Sequence, residues 1–208
     1  MHLLLPYFII FIVILHYVLK KGTRSHAARN EAFLEREARA NEVRRKDISN
    51  LNYISISENL PVINSGNDTF DTLIGSIPEL KRSYEQLQEL RDKKILNLTG
   101  ISNTDLKLEY GVANLTVLSE YDDNFTSLVK CIAKIGHILS DNSDYDDAQI
   151  YLEYGISIGT DITSNYIDLA RIYAACGNTD AIYTLKEKAS ALNSLSRDII
   201  IGQLDQFF

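Results

Sequence analysis

Residues 129–192, VKCIAKIGHILSDNSDYDDAQIYLEYGISIGTDITSNYIDLARIYAACGNTDAIYTLKEKASAL, decide how this chain folds. Ile132, Ile135, Gly136 and Leu139 recur thirty-four residues later as Tyr166, Leu169, Ala170 and Tyr173. Steps of three and four residues put each set on one face of a helix. A period of this length marks stacked helix pairs, each of which buries its apolar face only against its neighbours. Small residues at Gly136 and Ala170 let a neighbouring helix approach closely, and Leu139 and Tyr173 fill the space beside them. These positions are packing, not chemistry.

Helical spacing extends outward in both directions, so the expected fold class is all-α from about residue 68 to the end. Pro78 sits naturally in a first turn and opens PELKRSYEQLQELRDKK, with Leu80, Tyr84, Leu87 and Leu90 along one stripe. LKLEYGVANLTVLSEY follows, with Leu108, Val112, Leu115 and Leu118 at three- and four-residue steps. Breaks at Asp122-Asp123, Asp141-Asn142-Ser143, Gly159-Thr160-Asp161, Gly177-Asn178 and Asn193-Ser194 predict five further helices. Two repeat units cannot bury their faces alone. The helix near 105–121 is expected to cap one side, and SLSRDIIIGQLDQFF, through Leu195, Ile199, Leu204 and Phe207, the other.

The thirty-four-residue pattern resembles the tetratricopeptide repeat, over about residues 129–192. The first helix of that family carries large, Leu, small and Tyr at the positions given above, and the second carries Ala, aromatic and Ala. Here DYDDAQIYLEYG supplies Tyr145, Ala148, Leu152 and Gly155 for the second helix of the first unit. In the second unit Gly177 takes the turn, and Ala181, Leu185 and Ala189 follow with a one-residue slip. The departures are the missing closing proline in both units and Ile132 in place of an aromatic. The resemblance implies stacked helical hairpins whose first helices line a concave peptide-binding surface. Carried over by position, that surface presents Lys130, Ala133, His137, Ile167 and Arg171, with Lys134 beside them. Such a set of cations is suited to a carboxylate or an acidic peptide; a solvated helix face gives the same sequence.

At the other end of the chain, MHLLLPYFIIFIVILHYVL runs uncharged into Lys20 and Lys21. At about 1.5 Å per residue the apolar run crosses most of a hydrocarbon core of roughly 30 Å, and residues 1–21 read as a transmembrane anchor. A cleaved signal peptide is the rival reading. It lacks a basic n-region, and its best small-x-small site, Ser25-His26-Ala27, lies beyond three cations. Residues 20–46 carry nine Lys and Arg against four Glu, which by the positive-inside rule places the N-terminus outside and the rest of the chain in the cytoplasm. Residues 22–48 read as a charged juxtamembrane helix. Its apolar residues hold no heptad, and its cations are placed to touch anionic lipid if the stretch is more than a solvated stalk. Residues 49–67, with Pro61, Asn64, Ser65, Gly66 and Asn67, read as an extended linker with at most one short strand. The domain over 68–208 follows.

The whole chain carries a net charge of −7, so an acidic domain stands behind the basic stretch, which excludes nucleic acid as its partner. Cys131 and Cys176 have no CxxC or His-spaced companion and read as small buried thiols, not as a zinc site or a disulfide. His2, His16 and His26 lie in or beside the anchor, leaving His137 as the sole histidine of the domain. No nucleophile elbow, phosphate loop or zinc-peptidase motif occurs, so neither an enzyme nor a cofactor is expected. Asp141, Asp144, Asp146 and Asp147 lack the central Gly and closing Glu of a calcium loop and read as turn-capping acids. Asn-x-Thr triplets at Asn67, Asn97, Asn114 and Asn124 matter only if the topology is inverted. The function expected is a membrane-anchored adaptor or scaffold that binds a protein or peptide partner. The alternatives are an exported helical binding protein and a self-assembling structural subunit.

Overall fold

The computed structural model describes residues 4–63 and 68–208, and in the N-terminal helix the side chains of residues 7, 8, 10–12, 14–17, 20 and 29–42. The described residues are all-α: helices and short 3-10 turns, with no strand. Nine helices are described: α1 (Leu4–Glu42), α2 (Asp68–Ser76), α3 (Pro78–Glu89), α4 (Asn103–Tyr110), α5 (Leu115–Asp141), α6 (Tyr145–Ser157), α7 (Thr163–Ala175), α8 (Thr179–Ser190) and α9 (Arg197–Leu204).

The expected anchor, residues 1–21, lies partly outside the described residues. Its backbone from Leu4 onward belongs to the 39-residue α1. Among the described residues no helix is long and apolar enough to cross a membrane. Anchor and juxtamembrane stretch run as one helix, but that helix stops at Glu42, six residues short of the expected end.

The chain divides into two compact units, Met1–Asp47 with Ser102–Leu115, and Ile48–Ile101 with Thr116–Phe208. In the first unit α4 packs on the C-terminal part of α1. Glu37 pairs with Lys107 and accepts a hydrogen bond from the Thr104 hydroxyl at 2.7 Å, while Arg36 pairs with Asp105. The Lys107 ammonium, and then Thr104, hold the Glu37 carboxyl below the usual carboxylate range. Beyond the helix the buried Asn114 clamps the returning chain, donating to Lys46 O and Tyr110 O at 2.8 Å each and accepting from Arg45 Nε at 3.1 Å. Gly111 divides the single helix expected over 106–121. Its φ of +88° is open to glycine at little cost, and a Cβ there would overlap the backbone of Arg44.

In the second unit α6 packs on α7, α7 on α8, and α9 on α7 and α8, and α5 meets α6 at Gly136. Ile132, Ile135, Leu139, Ala148, Leu152, Tyr166, Leu169, Ala170 and Leu185 are all buried in one apolar core. At Gly136 two helices approach closely: a Cβ built on it would lie 2.6 Å from Cγ and Cδ2 of Leu152, so α5 and α6 touch through the missing side chain. The helix ends repeat as well. Asp144 and Asn178 precede α6 and α8 with φ,ψ of −88°,70° and −88°,72°, and their amides reach back to Leu139 O and Tyr173 O.

Several expectations are corrected. α5 runs unbroken through Asp122-Asp123, because Asp122 accepts the Leu98 amide at 2.9 Å instead of capping a helix. α3 ends at Glu89, short of the basic RDKK. Ala181 is only partly buried; Ile182, thirty-four residues after Ala148, takes the core position, so the slip begins later in α8. Tyr173 is partly buried, packed against the core with its hydroxyl donating to Glu153 at 2.7 Å. Cys176 is exposed in the turn after α7, while Cys131 is buried. Of the capping residues, Leu204 is buried and Phe207 packs on the core, but Leu195 and Ile199 are exposed.

Candidate functional site

Lys130, Lys134 and His137 lie on α5, Ile167 and Arg171 on α7. Arg171, three residues on along α7, and His137, across from α5, meet at one acceptor, Asp168, whose side chain is 5% exposed. His137 Nδ1 lies 2.9 Å from Asp168 Oδ2, and Arg171 Nη1 donates to Asp168 Oδ1 at 3.0 Å. A buried carboxylate is costly unless paired, and the Arg171 guanidinium supplies the charge while the His137 ring adds a hydrogen-bond partner. Asp141 adds a weaker contact to His137 Nε2 at 3.5 Å. Lys134 reaches Glu79 of α3 at 2.8 Å, and that lysine holds the Glu79 carboxyl below its usual range. Ile167 packs against the core, Ala133 is buried, and Lys130 is exposed, with no ion pair to a described residue. Of the polar residues expected on that surface, Lys134, His137 and Arg171 thus already engage the protein's own acids. Asp168 and Glu79 were missed because an acid in a helix reads as solvated unless the partner helix is known.

A second arrangement was not foreseen. Residues 48–63 lie on the second unit, held by tyrosine hydroxyls. Tyr151 Oη, buried in α6, donates to Pro61 O at 2.7 Å; Tyr154 Oη donates to Ser55 O at 3.1 Å; Tyr84 Oη accepts the Ile63 amide at 3.2 Å. The Ile54 amide donates to Ile95 O at 2.9 Å, and Leu60 is buried in the core. Burial drives the Tyr151 phenol far above its ordinary pKa, so it stays a donor. The helical unit therefore already grips a non-helical peptide through its main chain, and that peptide is its own linker. The signal was a tyrosine-rich helix, YLEYG, read only as packing.

Two clefts flank this segment. One of about 580 Å³ lies between α6, α7 and α8, with Leu169 and Leu185 in its floor and Glu153 and Lys188 on its walls. The other, about 420 Å³, runs along residues 53–56 and 58 opposite Arg91, Lys93 and Lys94. Among the described residues no group of His, Cys, Asp or Glu is arranged to hold a metal ion. Asp147 of the acidic cluster is buried, and burial raises the Asp144 carboxyl. The Asn-x-Thr asparagines serve the fold: Asn114 as above, Asn97 through Ile158 O and Gly159 O at 3.3 Å each, and Asn124 through Lys94 O at 3.0 Å. Asn67 lies outside the described residues. What fold and site define is an all-α protein whose sites are clefts and charged faces. The chain matches no family model, no curated protein and no solved structure.

Proposed function

We propose that the chain is a single-pass membrane protein whose helical domain, tetratricopeptide-like in arrangement, recruits or scaffolds a protein or peptide partner on the cytoplasmic side, without catalysis. The observation that carries this reading is the exposure of Tyr7, Phe8, Ile10, Phe11, Ile12, Ile14, Leu15 and Tyr17 on α1. At 100° per residue they cover well over half of the helix circumference, a surface that water does not support and lipid does. The cations of residues 20–46 suit the cytoplasmic headgroup layer. Support for the interaction module comes from the recurrence of helix ends and turns at thirty-four residues and from the tyrosine clamp on residues 55–63. A tethered module raises the effective concentration of a membrane-bound partner without a tight site.

The test is flotation of the full chain and of a chain lacking residues 1–21 with vesicles of neutral and of anionic lipid. The full chain is expected to float in both and to resist alkaline carbonate, and the truncated chain to stay at the bottom. Equal behaviour of the two chains overturns the anchor. Recovery of a mature protein beginning after residue 21 would favour the exported binding protein.

A further inference from the structure

We infer that the cleft formed by Arg91, Lys93 and Lys94 against residues 53–58 is a docking site for an acidic peptide segment of a partner protein. The unit that contains it, residues 48–101 and 116–208, is strongly acidic, with 21 Asp and Glu against 11 Lys and Arg. Three of those eleven cations lie within four residues, in the turn after α3, and none of the three forms an ion pair with a described residue. That is the reverse of Lys134 and Arg171, whose charges Glu79 and Asp168 already answer.

The cluster is also built. Lys94 Nζ stands 5.0 Å from the ring centre of Tyr53 and 5.8 Å from that of Tyr121, and the two rings meet edge to face at 5.7 Å. This cradle orients the ammonium without neutralising it. Arg91 Nε is fixed by Gln88 Oε1 at 2.8 Å, leaving the rest of its guanidinium for a carboxylate. Across the cleft the amides of Ser55, Ile56 and Glu58 donate to no described residue, so a main-chain edge accompanies the three cations. A charged row beside an open main-chain edge fits a peptide better than a free ion. The net acidity of the unit opposes such a peptide over most of its surface, and in this cleft three cations face the single carboxylate of Glu58.

This inference deepens the interaction-module reading and rests on it. The experiment measures fluorescence anisotropy of a labelled octapeptide of alternating Glu and Ile, and of its Lys-for-Glu counterpart, with the full chain in nanodiscs. The acidic peptide is expected to bind, more weakly as salt rises, and the lysine peptide not to bind. R91E/K93E should weaken binding at least tenfold and K93Q about threefold, whereas R82E, at an exposed position of α3, should leave it within twofold. All these side chains are exposed or partly so, and circular dichroism confirms that each variant folds. No binding of the acidic peptide at 1 mM, equal binding of the lysine peptide, or an unchanged affinity in R91E/K93E overturns the site. Partner crosslinks that persist in R91E/K93E after such a result would discard this cleft and keep the module.

Discussion

Ser143 and Gly177, thirty-four residues apart, hold the same left-handed backbone, φ 65° and 69°, in the turns that separate α5 from α6 and α7 from α8. The amides that follow them repeat too: Asp144 donates to Leu139 O at 3.0 Å and Asn178 to Tyr173 O at 2.9 Å. The period read from core residues is therefore also a period of the turns, where the side chains have little in common. Glycine meets the left-handed turn at little cost in the second unit; serine, with a Cβ, is strained in the first.

Ser143→Gly should therefore stabilise the protein. The relief of left-handed strain, about 1–2 kcal/mol, exceeds the added freedom of glycine in the unfolded chain, leaving a gain of about 0.5–1 kcal/mol. Urea unfolding of the two proteins side by side measures it. A loss of stability would mean that the Ser143 hydroxyl contributes more than its backbone costs.

Gly136→Ala should destabilise by about 1–3 kcal/mol, because its methyl would meet Leu152 near the branch of the side chain and not at a movable tip. Leu152→Ala alone opens a cavity in the core. The double variant should cost less than the sum of the two, and a double-mutant cycle in thermal melts reads that coupling. Strict additivity would show that the helices do not touch there.

The two thiols should separate chemically. An aromatic disulfide reagent at pH 8 should modify Cys176 in the folded protein and Cys131 only after denaturation, one thiol and then two. Burial pushes the Cys131 thiol up to about 11 from about 9, so the folded state holds that proton more tightly than the unfolded chain. Its contribution to stability is complete below pH 9 and is lost as the pH rises through 11. Rapid native labelling of both thiols would contradict the burial.

Tyr151→Phe removes one hydrogen bond and leaves the ring in place. The expected cost is about 1 kcal/mol, with faster hydrogen exchange over residues 54–63 and little change in α5 or α7. Mass spectrometry of exchanged peptides checks it. An even loss of protection across the whole unit would assign Tyr151 to the core alone.

Sequence periodicity reached the helical pairs because each buried position, such as Ile135 or Leu169, is set by a step of three or four. It could not reach Gly111, where a helical pattern continues on both sides of a break dictated by the nearby backbone of Arg44. Asp122 and Asp123 read as a stop for the opposite reason: one of them has a long-range task, accepting the Leu98 amide, and helix propensity alone does not reveal it. The partners of the basic surface were hidden in a similar way. Lys134, His137 and Arg171 were legible as polar residues, and Asp168 lies three residues before Arg171 on α7, but Glu79 meets Lys134, and Asp168 meets His137, only across helices. Arg91, Lys93 and Lys94 passed as the end of a helix, since the setting of Lys94 depends on the distant Tyr53 and Tyr121.

The measurement that tests the account most directly is protease protection with a tag placed after Phe208, on intact spheroplasts and after lysis. The tag should survive external protease and disappear only when the membrane is opened, which puts the helical domain with its clefts in the cytoplasm behind an N-terminal anchor. Loss of the tag in intact spheroplasts would contradict that topology and make the protein an extracytoplasmic one.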